Sequence, residues 1–264
     1  MPNLTPVITL MTDFGLRDHY VAAMKGVILG ICPQARIVDV THEINSYEIA
    51  EAAFLLSQTW TCFPRKTVHV VVVDPGVGSE RRPILAELDG QRFIAPDNGV
   101  LTPVLTRPGC RVRHITSDAY FRQPVSQTFH GRDIFAPVAA RVAKGIGLPK
   151  LGPLIQNQLR LTSEGPRRSA RRGWTGVILH VDRFGNIVTN FSVEQFPQIE
   201  EQPFEFSIGF RTVEKLARSY AEMETGELFA IVGSSGYVEI SANQQPAAKI
   251  LGCEAGAPVE LRLF

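Results

Sequence analysis

Charged side chains that could take part in chemistry follow the most apolar stretch of this sequence. Four consecutive valines, Val70–Val73, lead directly into Asp74-Pro75-Gly76-Val77-Gly78, and Arg81 follows a few residues later. A valine run without polar alternation is typical of a strand buried on both faces. A carboxylate at the carboxyl end of such a strand stands where open α/β sheets bind ligands. Asp74, with Arg81 as its charge partner, is therefore a candidate for chemistry. The alternative is an aspartate that only accepts amide hydrogen bonds within its turn.

Further polar residues flank other predicted elements. Asp13 and Asp18 follow the first predicted strand, Asn98 follows a predicted hairpin, and His130 precedes a predicted helix. If the sheet is parallel, several of these ends converge on one rim, where Asp13 could accept hydrogen bonds from the two hydroxyls of a ribose. Structural alternatives remain for three of them: an Asx-turn for Asp13, a helix N-cap for Asp18 and a satisfied structural histidine for His130.

The apolar pattern predicts an α/β region followed by a β region. Strands and amphipathic helices alternate up to the valine run, which implies right-handed crossovers and a parallel sheet. Asp89-Gly90 predicts a two-residue hairpin, and residues 147–173 have the composition of a linker. We therefore expect a large N-terminal α/β domain, residues 1–165, with a central, mainly parallel sheet flanked by helices. A smaller C-terminal all-β, barrel-like domain is expected at residues 173–264.

Composition narrows the classes of function. The 264 residues are 44% apolar and 20% charged with a net charge of +1, so nothing indicates a nucleic-acid or membrane partner. The four cysteines show no metal-ligand spacing, which favours free thiols in the cytoplasm and no metal site. No apolar run approaches the roughly 20 residues that cross a bilayer. Dinucleotide-binding, phosphate-loop and serine-hydrolase motifs are missing from the sequence.

Five short motifs occur in an order that resembles a known family. They are Thr12-Asp13-Phe14-Gly15, Asp74-Pro75-Gly76-Val77-Gly78, Ala95-Pro96-Asp97-Asn98-Gly99, Phe129-His130-Gly131-Arg132-Asp133 and Asp182-Arg183-Phe184-Gly185-Asn186. Together they resemble the S-adenosyl-L-methionine hydroxide adenosyltransferases, relatives of fluorinating and chlorinating enzymes, from about residue 7 to the C-terminus. The resemblance implies attack of water on C5′ of S-adenosyl-L-methionine, with release of adenosine and L-methionine. S-adenosyl-L-methionine is then the substrate, and no cofactor is needed.

The resemblance also assigns roles to individual residues. The water-activating Asp, Arg and His fall on Asp74, Arg81 and His130, and the ribose-binding aspartate falls on Asp13. Tyr47 falls on an aromatic wall, and Ser234 falls on a serine near the methionine carboxylate. The turn that holds methionine and adenine falls on Asp182, Phe184 and Asn186. The strand-end residues Asp18 and Asn98 complete the predicted substrate-binding set. The family forms trimers with the site between one subunit's large domain and the next subunit's small domain, which implies a homotrimer.

The sequence departs from the fluorinating relatives at informative positions. Ser235 and Val188 stand where those relatives have arginine and tryptophan, and the relatives carry other residues at Asp74 and His130. The Asp, Arg and His set therefore favours water over halide as the nucleophile. Two alternatives stay open: a non-catalytic sensor of adenosine or S-adenosyl-L-methionine, and a halide transferase. The sequence also leaves open whether His130 acts as a neutral base or as a charged donor.

Overall fold

The computed structural model describes residues 5–162 and 165–264 of the chain. The chain divides into two compact units, the first ending at Leu161 and the second beginning at Thr162. Within the described ranges, every helix is too short or too polar to span a lipid bilayer.

The described part of the first unit contains one sheet of seven strands in the order 2-1-3-5-4-6-7. The strands are β1 (Val7–Thr12), β2 (Arg36–Thr41), β3 (Val68–Val72), β4 (Pro83–Leu88), β5 (Gln91–Pro96), β6 (Arg111–His114) and β7 (Leu154–Ile155). β1 pairs in parallel with β2 and β3, and β3 pairs in parallel with β5. β4 pairs antiparallel with β5 and β6, and β6 pairs antiparallel with β7.

The expected parallel pairing is confirmed for β2, β1 and β3, but a mainly parallel sheet is not confirmed, because the described strands form a mixed sheet. The predicted hairpin is the cause. Asp89 and Gly90 have positive φ angles of 49° and 77°, which suits a tight reversal between β4 and β5. A two-residue connection can join only antiparallel neighbours, so the strands that follow β3 along the sheet are not all joined by crossover helices.

Both faces of this sheet are covered, which explains the valine run. The helices of the first unit are α1 (Tyr20–Ile31), α2 (Ile49–Thr59), α3 (Thr102–Leu105) and α4 (Ala136–Ala143). Val70 and Val72 belong to one buried cluster with residues of α1 and α4, and Val71 and Val73 belong to the other with residues of α2 and α3. Each fully buried valine contributes roughly 1.5–3 kcal/mol to stability. The prediction of a strand buried on both faces is confirmed.

The described part of the second unit is β-rich and contains a nine-stranded sheet that curls into a half-barrel. Its strands are β8 (Arg167–Ala170), β9 (Gly173–Val181), β10 (Ile187–Ser192), β11 (Phe204–Ile208), β12 (Arg211–Val213), β13 (Leu216–Ala217), β14 (Leu228–Val232), β15 (Tyr237–Ala242) and β16 (Pro258–Leu263). The order is 12-11-16-9-10-15-14-13, with β8 beside β9. One short helix, α5 (Ala247–Leu251), means that the unit is not all-β as expected.

Candidate active site

Asp74, Arg81 and His130 form one hydrogen-bonded cluster in the first unit. Arg81 Nε donates to Asp74 Oδ1 over 2.9 Å, and Arg81 Nη2 donates to Asp74 Oδ2 over 2.5 Å. The same Nη2 lies 2.5 Å from His130 Nδ1. The guanidinium also stacks on the ring of Phe135, 5.4 Å from its centroid. The Asp74 and Arg81 side chains are only 5% and 9% exposed, so water screens this ion pair weakly.

The loop after β3 fixes Asp74 and Arg81 relative to each other. Val77 N donates to the Asp74 carbonyl, and Ser79 Oγ donates to the Gly76 carbonyl over 2.6 Å. Gly78 has a φ of +79°, and a Cβ at this position would overlap the carbonyl oxygen of Gln127. The Asp74–Arg81 loop thus lies directly against the segment that precedes His130, and only glycine fits at the contact.

His130 lies at the start of a π-helical turn, Gly131–Phe135, which runs into α4. Asp133 in this turn is fully buried and accepts hydrogen bonds from Arg132, Arg122 and the backbone N of Ser126. Despite the opposing effect of burial, these donors hold the pKa of the Asp133 carboxyl below its ordinary value. Asp133 thus ties down the loop before His130, a role that no local pattern in the sequence indicates.

The Arg81 contact determines the protonation of His130. A guanidinium can only donate, so His130 Nδ1 must be the acceptor. The imidazole is then neutral and carries its proton on Nε2. Burial, and then the charge of Arg81, lower the pKa of His130 from its ordinary value, and the carboxylates of Asp74 and Asp133 oppose this only partly. His130 in this arrangement is a hydrogen-bond donor through Nε2 and not a free base.

Asp13 and Tyr47 lie together in the first unit, where Tyr47 N donates to Asp13 Oδ2 over 3.0 Å. Burial, with a smaller contribution from the charge of Asp74, raises the pKa of Asp13. The Tyr47 side chain is 69% exposed, and its backbone φ of 72° is strained for a residue with a side chain.

The structure shows the local surroundings of Asp18 and Asn98. Asp18 is exposed and is not the N-cap of α1, because the helix begins at Tyr20 with His19 at the cap position. Asn98 is bonded within the protein: its Nδ2 donates to the Val73 carbonyl over 2.8 Å and its Oδ1 accepts from Val100 N. Asn98 therefore holds the end of the valine run in place.

The second unit contains the other predicted substrate-binding residues. Asp182 Oδ1 accepts from the backbone N of Phe184 and of Asn186, and its Oδ2 accepts from Asn186 Nδ2 over 2.9 Å. These three residues line a cavity of about 580 Å³. The Phe184 ring is 78% exposed and offers a flat apolar face. Ser234 does not belong to this lining; it lies in the exposed turn between β14 and β15.

Within residues 5–162 and 165–264, no three His, Cys, Asp or Glu side chains are grouped as a metal ion would require. The four cysteines all lie in these ranges and are free thiols.

The fold and the cluster together define a class of protein. It combines an α/β unit, in which an acid, a guanidinium and an imidazole meet beyond a buried central strand, with a separate β-rich unit. Comparison with known families gives the particular assignment: the chain belongs to the SAM hydroxide adenosyltransferase family. The model of the family's N-terminal domain matches residues 8–152, and that of its C-terminal domain matches residues 176–260.

Similar proteins cover nearly the whole chain. A protein of Salinispora tropica named (R)-S-adenosyl-L-methionine hydrolase is 36% identical and aligns over 96% of both chains. A protein of Methanocaldococcus jannaschii with the same name is 33% identical over 98% of this chain and 97% of its own. A fluorinase of Nocardia brasiliensis is 25% identical over 98% of this chain and 97% of its own. The crystal structure of an uncharacterized conserved protein from Thermotoga maritima superposes with a TM-score of 0.89 at 35% identity, covering 96% of this chain and 99% of that one.

Proposed function

We propose that the protein hydrolyses S-adenosyl-L-methionine to adenosine and L-methionine. The observation that carries this proposal is the cluster in which Arg81 bonds both Asp74 and His130. Membership of the family and similarity to hydrolases over nearly the full length support the choice of substrate.

Arg81 holds the two groups that act on the water. Asp74 keeps lone pairs beyond the two that Arg81 engages, so it can accept a proton from water. His130 can donate from Nε2 to the oxygen as negative charge develops on it. Arg81 supplies a permanent positive charge beside both. Asp74 is therefore the proposed general base, and neutral His130 is the proposed electrostatic donor.

The reaction needs only the protein, the substrate and water. The water oxygen forms a bond to C5′, the C5′–sulfur bond breaks, and its electron pair returns to sulfur. The sulfonium becomes the neutral thioether of methionine, and the proton passes to Asp74 and then to solvent. Because an incipient anion attacks a cation, charge is dispersed, and a water-poor site favours the step. We propose no cofactor.

Substrate binding is assigned to residues of both units. Asp13 is proposed to accept hydrogen bonds from the ribose hydroxyls, with Tyr47 as an aromatic wall. In the second unit, the exposed ring of Phe184 and the polar groups of Asp182 and Asn186 suit a planar base and an ammonium group. Asp18, Asn98 and Ser234 are weaker candidates, and the internal bonds of Asn98 argue for a structural role.

Assembly and location are proposed on the same basis. We propose a homotrimer in which each site combines the first unit of one subunit with the second unit of the next. Four free thiols are typical of a reducing compartment, so we propose a cytoplasmic enzyme.

The decisive experiment is a single incubation in ¹⁸O-labelled water. Purified protein is mixed with S-adenosyl-L-methionine, with and without chloride. The products are separated by chromatography, and their masses are measured by mass spectrometry. We expect methionine without label and adenosine with one ¹⁸O atom at the 5′ position. Unchanged bound substrate would indicate a sensor, and 5′-chloroadenosine would indicate a halide transferase. Asp74→Asn, which keeps the shape of the side chain, is expected to abolish most turnover.

A further inference from the structure

A buried histidine outside the proposed catalytic cluster is bonded to the Asp13 loop at two points. His42 is only 3% exposed, and its Nδ1 lies 2.8 Å from Oγ1 of Thr12. The His42 backbone carbonyl accepts a hydrogen bond from Gly15 N over 2.7 Å. Thr12 and Gly15 are the two ends of the loop that presents Asp13, so one residue holds both ends.

The Thr12 hydroxyl links the His42 ring to the backbone of the loop. Thr12 Oγ1 accepts from Phe14 N over 3.2 Å and keeps a second lone pair and its proton, so it can bond His42 Nδ1 in either tautomer of the ring. His42 Nε2 lies 3.1 Å from Asp39 Oδ1. This last contact is not aligned as a hydrogen bond, so it is a polar contact between the ring and the carboxylate. Lys25 binds the same carboxylate over 2.5 Å.

These contacts fix the position of Asp13, which lies between Thr12 and Phe14 in the sequence. The bond from Phe14 N to Thr12 Oγ1 closes a small turn around Asp13 and fixes its backbone. The Asp13 carboxylate is then held by Tyr47 N. With Asp13 fixed at both its backbone and its carboxylate, its orientation depends on His42, which keeps Thr12 in place.

A second threonine of β1, Thr9, also bonds a buried histidine and provides a matched comparison. Thr9 and His69 are also buried, and Thr9 Oγ1 lies 2.8 Å from His69 Nδ1. His69 Nε2 lies 2.5 Å from Gln91 Oε1, and its ring stacks on Phe93. Thr9 lies in the middle of β1 and bonds no loop amide that borders Asp13. Thr9 and Thr12 are thus both buried threonines bonded to a histidine Nδ1. They differ in that only Thr12 also bonds a backbone amide of the loop that holds Asp13.

We propose that His42 is a positioning residue that acts through Thr12 on Asp13. The proposal rests on the proposed function, in which Asp13 binds the ribose. If the ribose moves by even about 1 Å relative to the attacking water, the rate falls by up to about 100-fold. His42 and Thr12 therefore control turnover without touching the substrate.

The first test compares Thr12→Val with Thr9→Val. Both remove a buried hydroxyl and are expected to lower the thermal midpoint to a similar extent. Only Thr12→Val is expected to lower kcat/KM, by about 10- to 100-fold, and Thr9→Val is expected to stay within about twofold of the wild type. Equal losses of activity in the two variants would overturn the proposal.

Variants of His42 and a double-mutant cycle separate positioning from general destabilisation. Asparagine at position 42 can place a polar atom near the Nδ1 position and keep the Thr12 contact, whereas glutamine reaches the Nε2 position and loses it. We therefore expect His42→Asn to be more active than His42→Gln.

In an Asp13→Asn background, Thr12→Val is expected to cause no further loss of activity, and additive losses would contradict an action through Asp13.

A measurement without substrate distinguishes this proposal from the proposed function. The Tyr47 amide resonance reports the bond to Asp13, and we expect it to shift in Thr12→Val and not in Thr9→Val. If the wild-type protein failed to hydrolyse S-adenosyl-L-methionine, the proposed function would fall, and the Tyr47 resonance would still decide the positioning role. An unchanged Tyr47 resonance in Thr12→Val would refute that role.

Discussion

Arg81 uses donors on one planar group to bond two different side chains. Its Nε and Nη2 bond the two oxygens of Asp74, and Nη2 also bonds His130. A lysine would keep the charge but could not reproduce this geometry, because its ammonium is a point charge on a flexible chain. We expect Arg81→Lys to lower kcat by about 10²–10⁴-fold with little change in KM, measured by steady-state kinetics.

The neighbouring arginine is the matched control. Arg82 bonds Asp97 and Asn157 and makes no hydrogen bond or ion pair with Asp74 or His130 among the described residues. Arg82→Lys changes the same chemical group one position away and is expected to alter thermal stability while kcat stays near the wild-type value. Equal loss of kcat in both variants would show that Arg81 has no special part in the reaction.

The protonation of His130 predicts the pH dependence of the reaction. Burial and Arg81 lower its pKa below 6.5, with Asp74 and Asp133 acting in the opposite direction. The neutral form accepts the Arg81 bond, so activity is present above this pKa and is lost as the pH falls through it. We expect kcat/KM to be constant from about pH 7 to 8 and to fall about tenfold per unit below a break under pH 6.5. NMR titration of the His130 ring checks the assignment. A His130 ring that is charged at pH 7 would contradict it.

Sequence reasoning reaches some residues of the site and not others. Asp74 could be predicted because a strand end is visible in the valine run, and the spacing of known motifs supplied Arg81 and His130. Asn98 could not be distinguished from a ligand-binding residue, because its bonds to Val73 and Val100 depend on how separate strands meet. His42 was missed for the same reason, since its partner Thr12 lies 30 positions earlier in the chain.

Among the elements, the loop after β3 carries the most demanding contact. Gly78 combines a φ of +79° with direct contact to the Gln127 carbonyl of the segment before His130. Alanine at this position would strain the backbone by about 1–2 kcal/mol and push the two segments apart. We expect Gly78→Ala to lower the free energy of unfolding by at least this amount and to lower kcat/KM at least tenfold, measured by chemical denaturation and steady-state kinetics.

A substitution at Gly109 is the control that separates the effect of backbone strain from the effect of the contact with Gln127. The φ of Gly109 is +83°, and a Cβ there would meet no atom within 4 Å. Gly109→Ala is expected to cost a similar backbone strain and to leave kcat/KM unchanged. If Gly109→Ala impaired turnover as much as Gly78→Ala, the loss would come from stability alone and the contact with Gln127 would be irrelevant to the site.

Prediction of the elements succeeded where local patterns determine the structure. The β4–β5 hairpin at Asp89-Gly90 is confirmed, because positive φ angles at its centre follow from those residue types. The parallel pairing of β1 with β2 and β3 also follows from the alternating pattern, whereas the antiparallel pairing of β6 with β4 and β7 depends on long-range contacts that no local pattern shows. Very short strands such as β7 and β13, each of two residues, carry too few residues to show a period. β7 and β8 lie in the stretch that was interpreted as a linker.

At the scale of the whole molecule, residues that we propose to bind the substrate lie in both units. The Asp74 cluster belongs to the first unit, and the Asp182 turn with its cavity belongs to the second. The sequence alone predicts two units because the pattern changes from alternating helices and strands to strands. It contains no local signal for which copy of the chain supplies each half of a site, and the trimer stays a proposal from family membership.

Mixing two inactive variants tests the shared site. Asp74→Asn disables the first unit, and Phe184→Ala removes the exposed ring from the second. If each site combines units from different subunits, co-expressed variants form some sites in which both halves are intact. With equal amounts and random assembly, about a quarter of the wild-type activity should return at substrate concentrations below KM. Native mass spectrometry on differently tagged chains confirms the mixed trimers. Mixed trimers without regained activity would place each site within one chain, and monomers in solution would rule out the shared site altogether.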